Sequence, residues 1–273
     1  MARNIKHGMK DGTLLSISQV ERGLKCGCVC AACGVPLVAK KGKKVEHHFA
    51  HYGTKPCQYG YETALHLAAK EILSRSKKLV LPPSYVIFQS SGKEKLCVAN
   101  PTEIPIESVE IESHFGSMVP DIIIHSGDKF LFVEIRVTHA IDSAKHKKIK
   151  DAGVSTLEID LHDIEDTPTE EDLSNILLSN NPRKTWIYNA FAEKIFHAFC
   201  EASERKKIIE RGFALHVDFC PIQCRTWRGK PYANYSDDCY YCKYHICTDL
   251  ETSHIWCSGR NLISTLSDLK SKR

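Results

Sequence analysis

The chain has 273 residues, 42% hydrophobic and 26% charged, the balance of an ordinary soluble globular protein with room for two domains, or for one domain with appended modules. It contains no apolar run of about 18 residues, which excludes a membrane span, and its opening, MARNIKHGMKDG, lacks the apolar core of a secretory signal, so a cytoplasmic location is expected. The net charge of +4 is uneven: residues 1–60 hold ten Lys/Arg against three Asp/Glu, and the rest 27 against 30, a basic front that suits phosphate contacts or a plain solvated face.

There are thirteen cysteines. The odd number, without a signal peptide, favours metal sites over disulfides. Residues 13–20, TLLSISQV, read as a short strand. Cys26, Cys28, Cys30 and Cys33 follow, the last leading into Gly34. A Cys-x-x-Cys-Gly turn holds two thiolates close together in the manner of a zinc knuckle. A strand from Pro36 to Lys40 and a Lys-rich turn lead to His47-His48-Phe49-Ala50-His51 and then Cys57. The expected zinc ligands are Cys30, Cys33, His51 and Cys57. His48 is the alternative, and Cys26 and Cys28 are spares that packing explains equally well. His47 and His51 have the spacing of a metalloprotease pair, but that motif needs Glu after the first His. The residue there is His48, which excludes it.

Residues 62–75, ETALHLAAKEILSR, predict a helix uninterrupted by Gly or Pro. Leu65, Ala68, Ala69, Ile72 and Leu73 form its apolar face. Glu62, His66 and Lys70 make a border stripe at four-residue spacing, either a plain polar stripe or a face in which His66 or Lys70 meets phosphate. Leu79 to Pro83 reads as a boundary, and Tyr85–Gln89 and Glu103–Glu112 as strands.

Next comes SMVPDIIIHSGDKFLFVEIRVTH, from Ser117 to His139. Two apolar runs flank Ser126-Gly127-Asp128, a hairpin signal. On the second strand Phe130, Phe132, Glu134 and Arg136 share one face, and Leu131, Val133, Ile135 and Val137 the other. A turn centred between Gly127 and Asp128 sets Asp121 opposite Glu134. Cross-strand neighbours have Cβ atoms roughly 5 Å apart. Two carboxylates so close stay ionised together most easily with a cation between them. Oxygen ligands alone suit Mg²⁺ or Mn²⁺ better than zinc.

Pro120-Asp121 followed by Glu134-Ile135-Arg136 resembles the PD-(D/E)xK nuclease signature. With Cys30-x-x-Cys33-Gly34, His48-Phe49-Ala50-His51, Cys57, and Glu62, His66 and Lys70, the ordered series over residues 25–162 resembles the competence protein CoiA-like family. The resemblance implies a restriction-endonuclease-like core and metal-dependent DNA cleavage. It assigns Asp121 and Glu134 to the metal, and Glu62, on the first helix, to a metal-bound water or a second ion. Arg136 departs from the signature, which has Lys there, or Gln in some branches. Arginine stays protonated and cannot act as a base, but its planar fork can clamp phosphate. Lys70 or the group Lys145, Lys147 and Lys148 are the substitutes if a lysine is required.

Beyond the hairpin, Ile141–Ala152 predicts a Lys-rich helix and Ser155–Leu161 a strand, which together make a right-handed parallel crossover. Glu165 to Asn181 is acidic, a helix plus loop. Lys184 to about Arg211 predicts one long helix carrying Trp186, Ala190, Ile195, Phe196 and Phe199. The C-terminal stretch then offers Cys220, Cys224, Cys239 and Cys242 as a second zinc set, with Cys247 and Cys257 as substitutes. Arg225, Arg228 and Lys230 interleave with Trp227 and Tyr232 between those pairs, and suit phosphate contact or a solvated loop.

The expected architecture is α/β, a restriction-endonuclease-like mixed sheet flanked by helices, with N-terminal and C-terminal zinc-binding modules. It divides as 1–61, 62–180 and 181–273. The expected activity is Mg²⁺- or Mn²⁺-dependent hydrolysis of DNA. The alternatives are a DNA-binding module without catalysis and a zinc-stabilised interaction protein. DNA is the expected partner, with a homo-oligomer or protein partner left open and no membrane partner.

Overall fold

The structure, a computed structural model, describes residues 4–44, 46–55, 57, 59–90, 95–138, 141–164 and 168–271. His139 and the Glu165 start of the acidic segment lie outside the described residues. Among those described, no helix is long and apolar enough to cross a membrane. The chain forms two compact units, Met1–Pro82 with Pro101–Tyr188, and Pro83–Asn100 with Asn189–Arg273. The N-terminal Cys/His stretch and the central hairpin therefore belong to the same unit, where the sequence reading divides them at residue 61.

The first unit is mixed α/β. Its five-stranded sheet runs Lys184–Tyr188, Thr156–Asp160, Lys129–Arg136, Ile122–Ser126, Ser108–Ile111. The hairpin pairs Ser126 with Lys129 and Ile122 with Val133, the register expected from the Gly127-Asp128 turn. Lys129–Arg136 and Thr156–Asp160 are parallel, joined through the helix Ser143–Ala152; this is the crossover that strand, helix, strand implied. The two faces of the hairpin fill two cores. Leu131, Val133, Ile135 and Val137 pack with Leu65, Ala68, Ala69, Ile72 and Leu73 of the helix Gly60–Arg75. Phe132 and Ile123 pack with Met118 and Ile149. Ile122, Ile124, Val133, Leu157 and Ile159 are fully buried, each stabilising the fold by roughly 1.5–3 kcal/mol.

Before the first helix lie two antiparallel hairpins, His7–Lys10 with Thr13–Ser16 and Leu37–Lys40 with His48–His51. They share a core of Ile5, Cys26, Cys28, Leu37 and Phe49, so Cys26 and Cys28 are packing residues. The strand Thr102–Pro105 pairs with Lys78–Leu81, and the strand expected over Glu103–Glu112 breaks at Pro105, with its second half Ser108–Ile111 joining the main sheet. Proline supplies no N–H to continue a ladder.

The helix expected over residues 184–211 is three elements. Lys184–Tyr188 is an edge strand antiparallel to Thr156–Asp160. Ala190–Glu201 is the helix. Glu204–Arg211 is a strand of the second unit. Trp186 and Ile187 favour a strand, and Asn189, extended at φ −128°, caps the helix by accepting from Ala192 N–H.

The second unit carries a six-stranded antiparallel sheet in the order Arg225–Trp227, Lys230–Asn234, Ala214–Asp218, Glu204–Arg211, His254–Cys257, His245–Asp249. Phe199 of its helix Ala190–Glu201, Val86 of the hairpin of Ser84–Val86 with Leu96–Ala99, and Ile246 of the edge strand share a core with Phe88 and Ile263.

Candidate active site and metal centres

Asp121 precedes a strand whose neighbours pair Ile122 with Ile111 on one side and with Val133 on the other. One step further along, Glu112 N–H donates to Asp121 O at 3.1 Å, and Glu134 pairs with Glu158 on the next strand. Glu112, Asp121, Glu134 and Glu158 thus form a row of acids across four strands. Basic side chains from two helices meet this row. On the helix Gly60–Arg75, His66 Nε2 lies 3.1 Å from Asp121 Oδ2. One turn on, Lys70 Nζ lies 3.5 Å from Asp121 Oδ1 and 2.6 Å from Glu112 Oε1. Lys70 is only 2% exposed, so it is held by those carboxylates rather than by water. From the helix Ser143–Ala152, Lys145 Nζ lies 2.6 Å from Glu134 Oε2. Asp121 Oδ2 also accepts from Ile135 N–H at 2.8 Å, which ties it to the strand carrying Glu134.

These surroundings push the two acids apart. Burial raises Asp121, but His66, the Ile135 amide and Lys70 outweigh it and hold the carboxyl at about 2. Glu134 is raised, first by burial, with Lys145 opposing and Asp121 adding to the rise. One carboxylate is thus firmly ionised and its partner holds a proton more readily, a separation found where two acids take different roles.

Arg136 is turned to the neighbouring strand, its Nη1 3.3 Å from Asp160 Oδ2. Glu62 is half-buried, two turns before Lys70 on the same helical stripe. Sequence reasoning missed Glu158 and Glu112. Glu112 lies just past a strand end in the left-handed region, φ 49°, and only the sheet register identifies it.

Cys30, Cys33, His51 and Cys57 place their ligand atoms within 4.8 Å of one another. Gly34 at φ 70° and the Cys30 N–H to Val35 O bond make the turn that presents the first two thiols. His51 comes from the strand His48–His51, opposite Leu37. The Cys30 and Cys57 sulfurs are 3.7 Å apart and Cys33 Sγ is 3.3 Å from His51 Nε2. Four-coordinate zinc at about 2.3 Å from sulfur puts two sulfurs about 3.8 Å apart. Burial and the neighbouring thiols push Cys57 up to about 11, and a bound cation would favour the thiolates instead. This Cys₃His cluster can bind zinc. His48 turns away, its Nδ1 2.8 Å from Glu46 O. Gly60, unremarked in the sequence, closes the site: a Cβ there would lie 3.0 Å from Cys57 Sγ and 3.2 Å from Cys30 Sγ.

In the second unit Cys220, Cys224, Cys239, Cys242 and Cys257 line one small cavity of about 20 Å³. Burial first, then the neighbouring thiols, push Cys224 to about 12 and raise Cys239. Cys257 lines this cavity with the four expected cysteines, but among the described residues only Cys30, Cys33, His51 and Cys57 bring their ligand atoms all within 4.8 Å of one another. Cys247 does not line this cavity; its Sγ is 4.0 Å from Cys200 Sγ. Among the expected phosphate contacts, Arg225 is held by Asp238 and Asp237 at 2.6 and 3.2 Å. Arg228 lies over the Trp227 ring, 4.7 Å from its centroid.

Residues 15–60 match a family model described as the N-terminal domain of the competence protein CoiA. The match takes in Cys30, Cys33, His51 and Cys57. No curated protein and no solved structure matches the chain.

Proposed function

We propose that the protein is a CoiA-like, metal-dependent DNA nuclease whose restriction-endonuclease-like core is the first unit, acting in DNA uptake, processing or defence. The observation that carries this reading is the register of Asp121 opposite Glu134, with lysines from two helices gathered on the pair. Buried carboxylates flanked by lysines supply oxygen ligands for Mg²⁺ or Mn²⁺ and cations for a phosphate. Such an ion, when bound, lowers the pKa of water and stabilises charge on the attacked phosphate. The chain's own residues do the rest. Asp121 and Glu134 hold the ion, and the Ile135 amide fixes the Asp121 carboxylate. Lys145 supplies, from a helix, the ammonium group that Arg136 does not. Arg136, braced by Asp160, orients a phosphate through its fork, and Glu62 and His66 flank the approach. Zinc in the Cys₃His cluster, and a second ion among the five C-terminal cysteines, hold the surrounding modules in shape.

The test is incubation of linear, circular and single-stranded DNA with the protein in Mg²⁺, Mn²⁺ or EDTA, beside Asp121→Ala protein of matched zinc content. Cutting that needs the metal and is lost in the variant is expected. Equal cutting by the variant would overturn the assignment. The Arg136–Asp160 pairing favours one other reading, a DNA-binding module without catalysis. It predicts salt-dependent DNA binding and no cutting in any metal.

A further inference from the structure

The second unit holds a cavity of about 480 Å³, lined by Trp227, Phe219 and Tyr232 together with Arg211, His216 and Lys230. That volume lies in the range of small-ligand sites. Its walls are unusual for a surface facing water. Trp227 is 60% exposed and Phe219 63%, so large ring faces are left uncovered. They are also rigidly presented. Trp227 pairs with Lys230 across Arg228 and Gly229, which have φ 50° and 75°. Two positive-φ residues in a two-residue loop make the tight turn that suits hairpin twist. Phe219 is fixed to the same hairpin by donating its N–H to Pro231 O at 2.8 Å. Tyr232 lies between Asp218 and Arg225 in the sheet, with its ring 5.2 Å from His216.

Charge surrounds the rings. Of the charged groups lining the recess, Arg211 and Lys230 face one carboxylate, Asp218. Asp218 neutralises Arg211 through a two-point ion pair. Lys230 forms no ion pair among the described residues, and Arg228 is committed only to the Trp227 face. Exposed rings beside unpaired cations fit a polyanion that also offers flat apolar faces. Nucleobases in a duplex are already stacked on one another, whereas those of a single strand are free to stack on protein rings.

We infer that this aromatic and basic recess of the second unit binds single-stranded DNA, with bases stacked on Trp227 and Phe219 and the backbone met by Lys230 and Arg228. The choice of DNA over RNA rests on the nuclease reading above; the stacking site does not.

The test is anisotropy of a labelled oligothymidylate titrated with full-length Asp121→Ala protein, which keeps any cleavage out of the readout. Trp227→Ala should weaken binding about five- to 150-fold, the loss expected for one stacked base. Trp227→Phe should retain most of the affinity, which separates stacking from a folding defect. Lys230→Ala should lower the salt dependence by about one phosphate contact. Unchanged affinity in Trp227→Ala, or equal binding of duplex of the same length, would overturn the site. Tighter binding of oligouridylate would overturn the choice of DNA. Loss of binding in Trp227→Ala, together with a wild-type protein that cuts nothing in any metal, would uphold the recess and reject the nuclease.

Discussion

Lys145 reaches across from its helix to Glu134, placing Nζ 2.6 Å from the carboxylate. The lysine beside the second acid therefore comes from outside the strand, while strand position 136 holds an arginine engaged by Asp160. Under the nuclease reading, Lys145→Met should lower cleavage about 10²–10⁴-fold, the range for loss of a positioned proton-transfer group, with zinc content unchanged. Arg136→Lys should keep activity. Wild-type rates in Lys145→Met would show that this ammonium only packs against Glu134.

The Cys₃His cluster predicts one zinc per chain that depends on Cys33 but not on Cys26. Cys33→Ser should release that zinc and open the N-terminal hairpins to protease, because a filled structural site contributes on the order of 10 kcal/mol. Cys26→Ser should retain it, since Cys26 donates to Leu37 O inside the packed core. Metal analysis with limited proteolysis checks both.

Under the reading that a second ion sits among the C-terminal cysteines, that ion should depend on Cys257. Cys257→Ser should lower the zinc content and Cys247→Ser should leave it unchanged, because only Cys257 shares the cavity of the other four thiols. The reverse result would move the site to the Cys200–Cys247 pair.

Gly60 should behave opposite to a helical glycine elsewhere. Exchanging Gly for Ala in a helix usually stabilises it by up to about 1 kcal/mol. Here the added methyl meets Cys57 Sγ and Ile5 Cδ1 at 3.0 Å. Gly60→Ala should destabilise by roughly 1–3 kcal/mol and weaken zinc retention, read by thermal melting and a chelator competition.

Lys184 is 3% exposed and donates to Val80 O at 2.9 Å and Ser179 O at 2.7 Å. Among the described residues no carboxylate is paired with it, and burial lowers its pKa from 10.5 to about 7. Between those values the unfolded chain binds a proton that the folded chain does not, so stability rises with pH from about 7 to 10.5 and is lost on the way back down. Lys184→Met should flatten that rise. Denaturant midpoints at pH 7 and 9.5 for both proteins, compared as differences, are the measurement.

The parts of the fold legible in sequence were those set by local chemistry. Ser126-Gly127-Asp128 fixed the hairpin register, and with it the pairing of Asp121 and Glu134. The gapless run after Glu62 marked the first helix. The Cys-x-x-Cys-Gly turn and its return histidine marked the Cys₃His cluster. What escaped was set by partners distant in sequence. Lys184–Tyr188 is a strand because Thr156–Asp160 offers it an edge, and apolar spacing alone read it as helix. Asn189 was the available signal, a helix cap in the middle of the supposed helix. Glu112 and Glu158 join the acids only through tertiary packing, the sequence offered Lys145 only alongside Lys70, Lys147 and Lys148, and nothing local distinguishes Cys257 from Cys247.

The path of the chain between Pro82 and Pro101 gives the two units a modular accounting. The strands Lys78–Leu81 and Thr102–Pro105 pair so that Leu81 faces Thr102, and everything between Pro83 and Asn100 belongs to the other unit. The second unit is thus an insertion into a hairpin loop plus a C-terminal extension. A chain simply cut after Tyr188 would keep Val86 and Phe88 while losing Phe199 and Ile246, which cover them. Excising residues 83–100 as well would leave only Pro82-Pro101 between the paired strands, and because proline cannot adopt the positive φ of a two-residue hairpin turn, a short Gly-containing loop should replace them. Under the nuclease reading, a minimal fragment carrying Asp121 and Glu134 should therefore be built from two pieces of sequence rather than one.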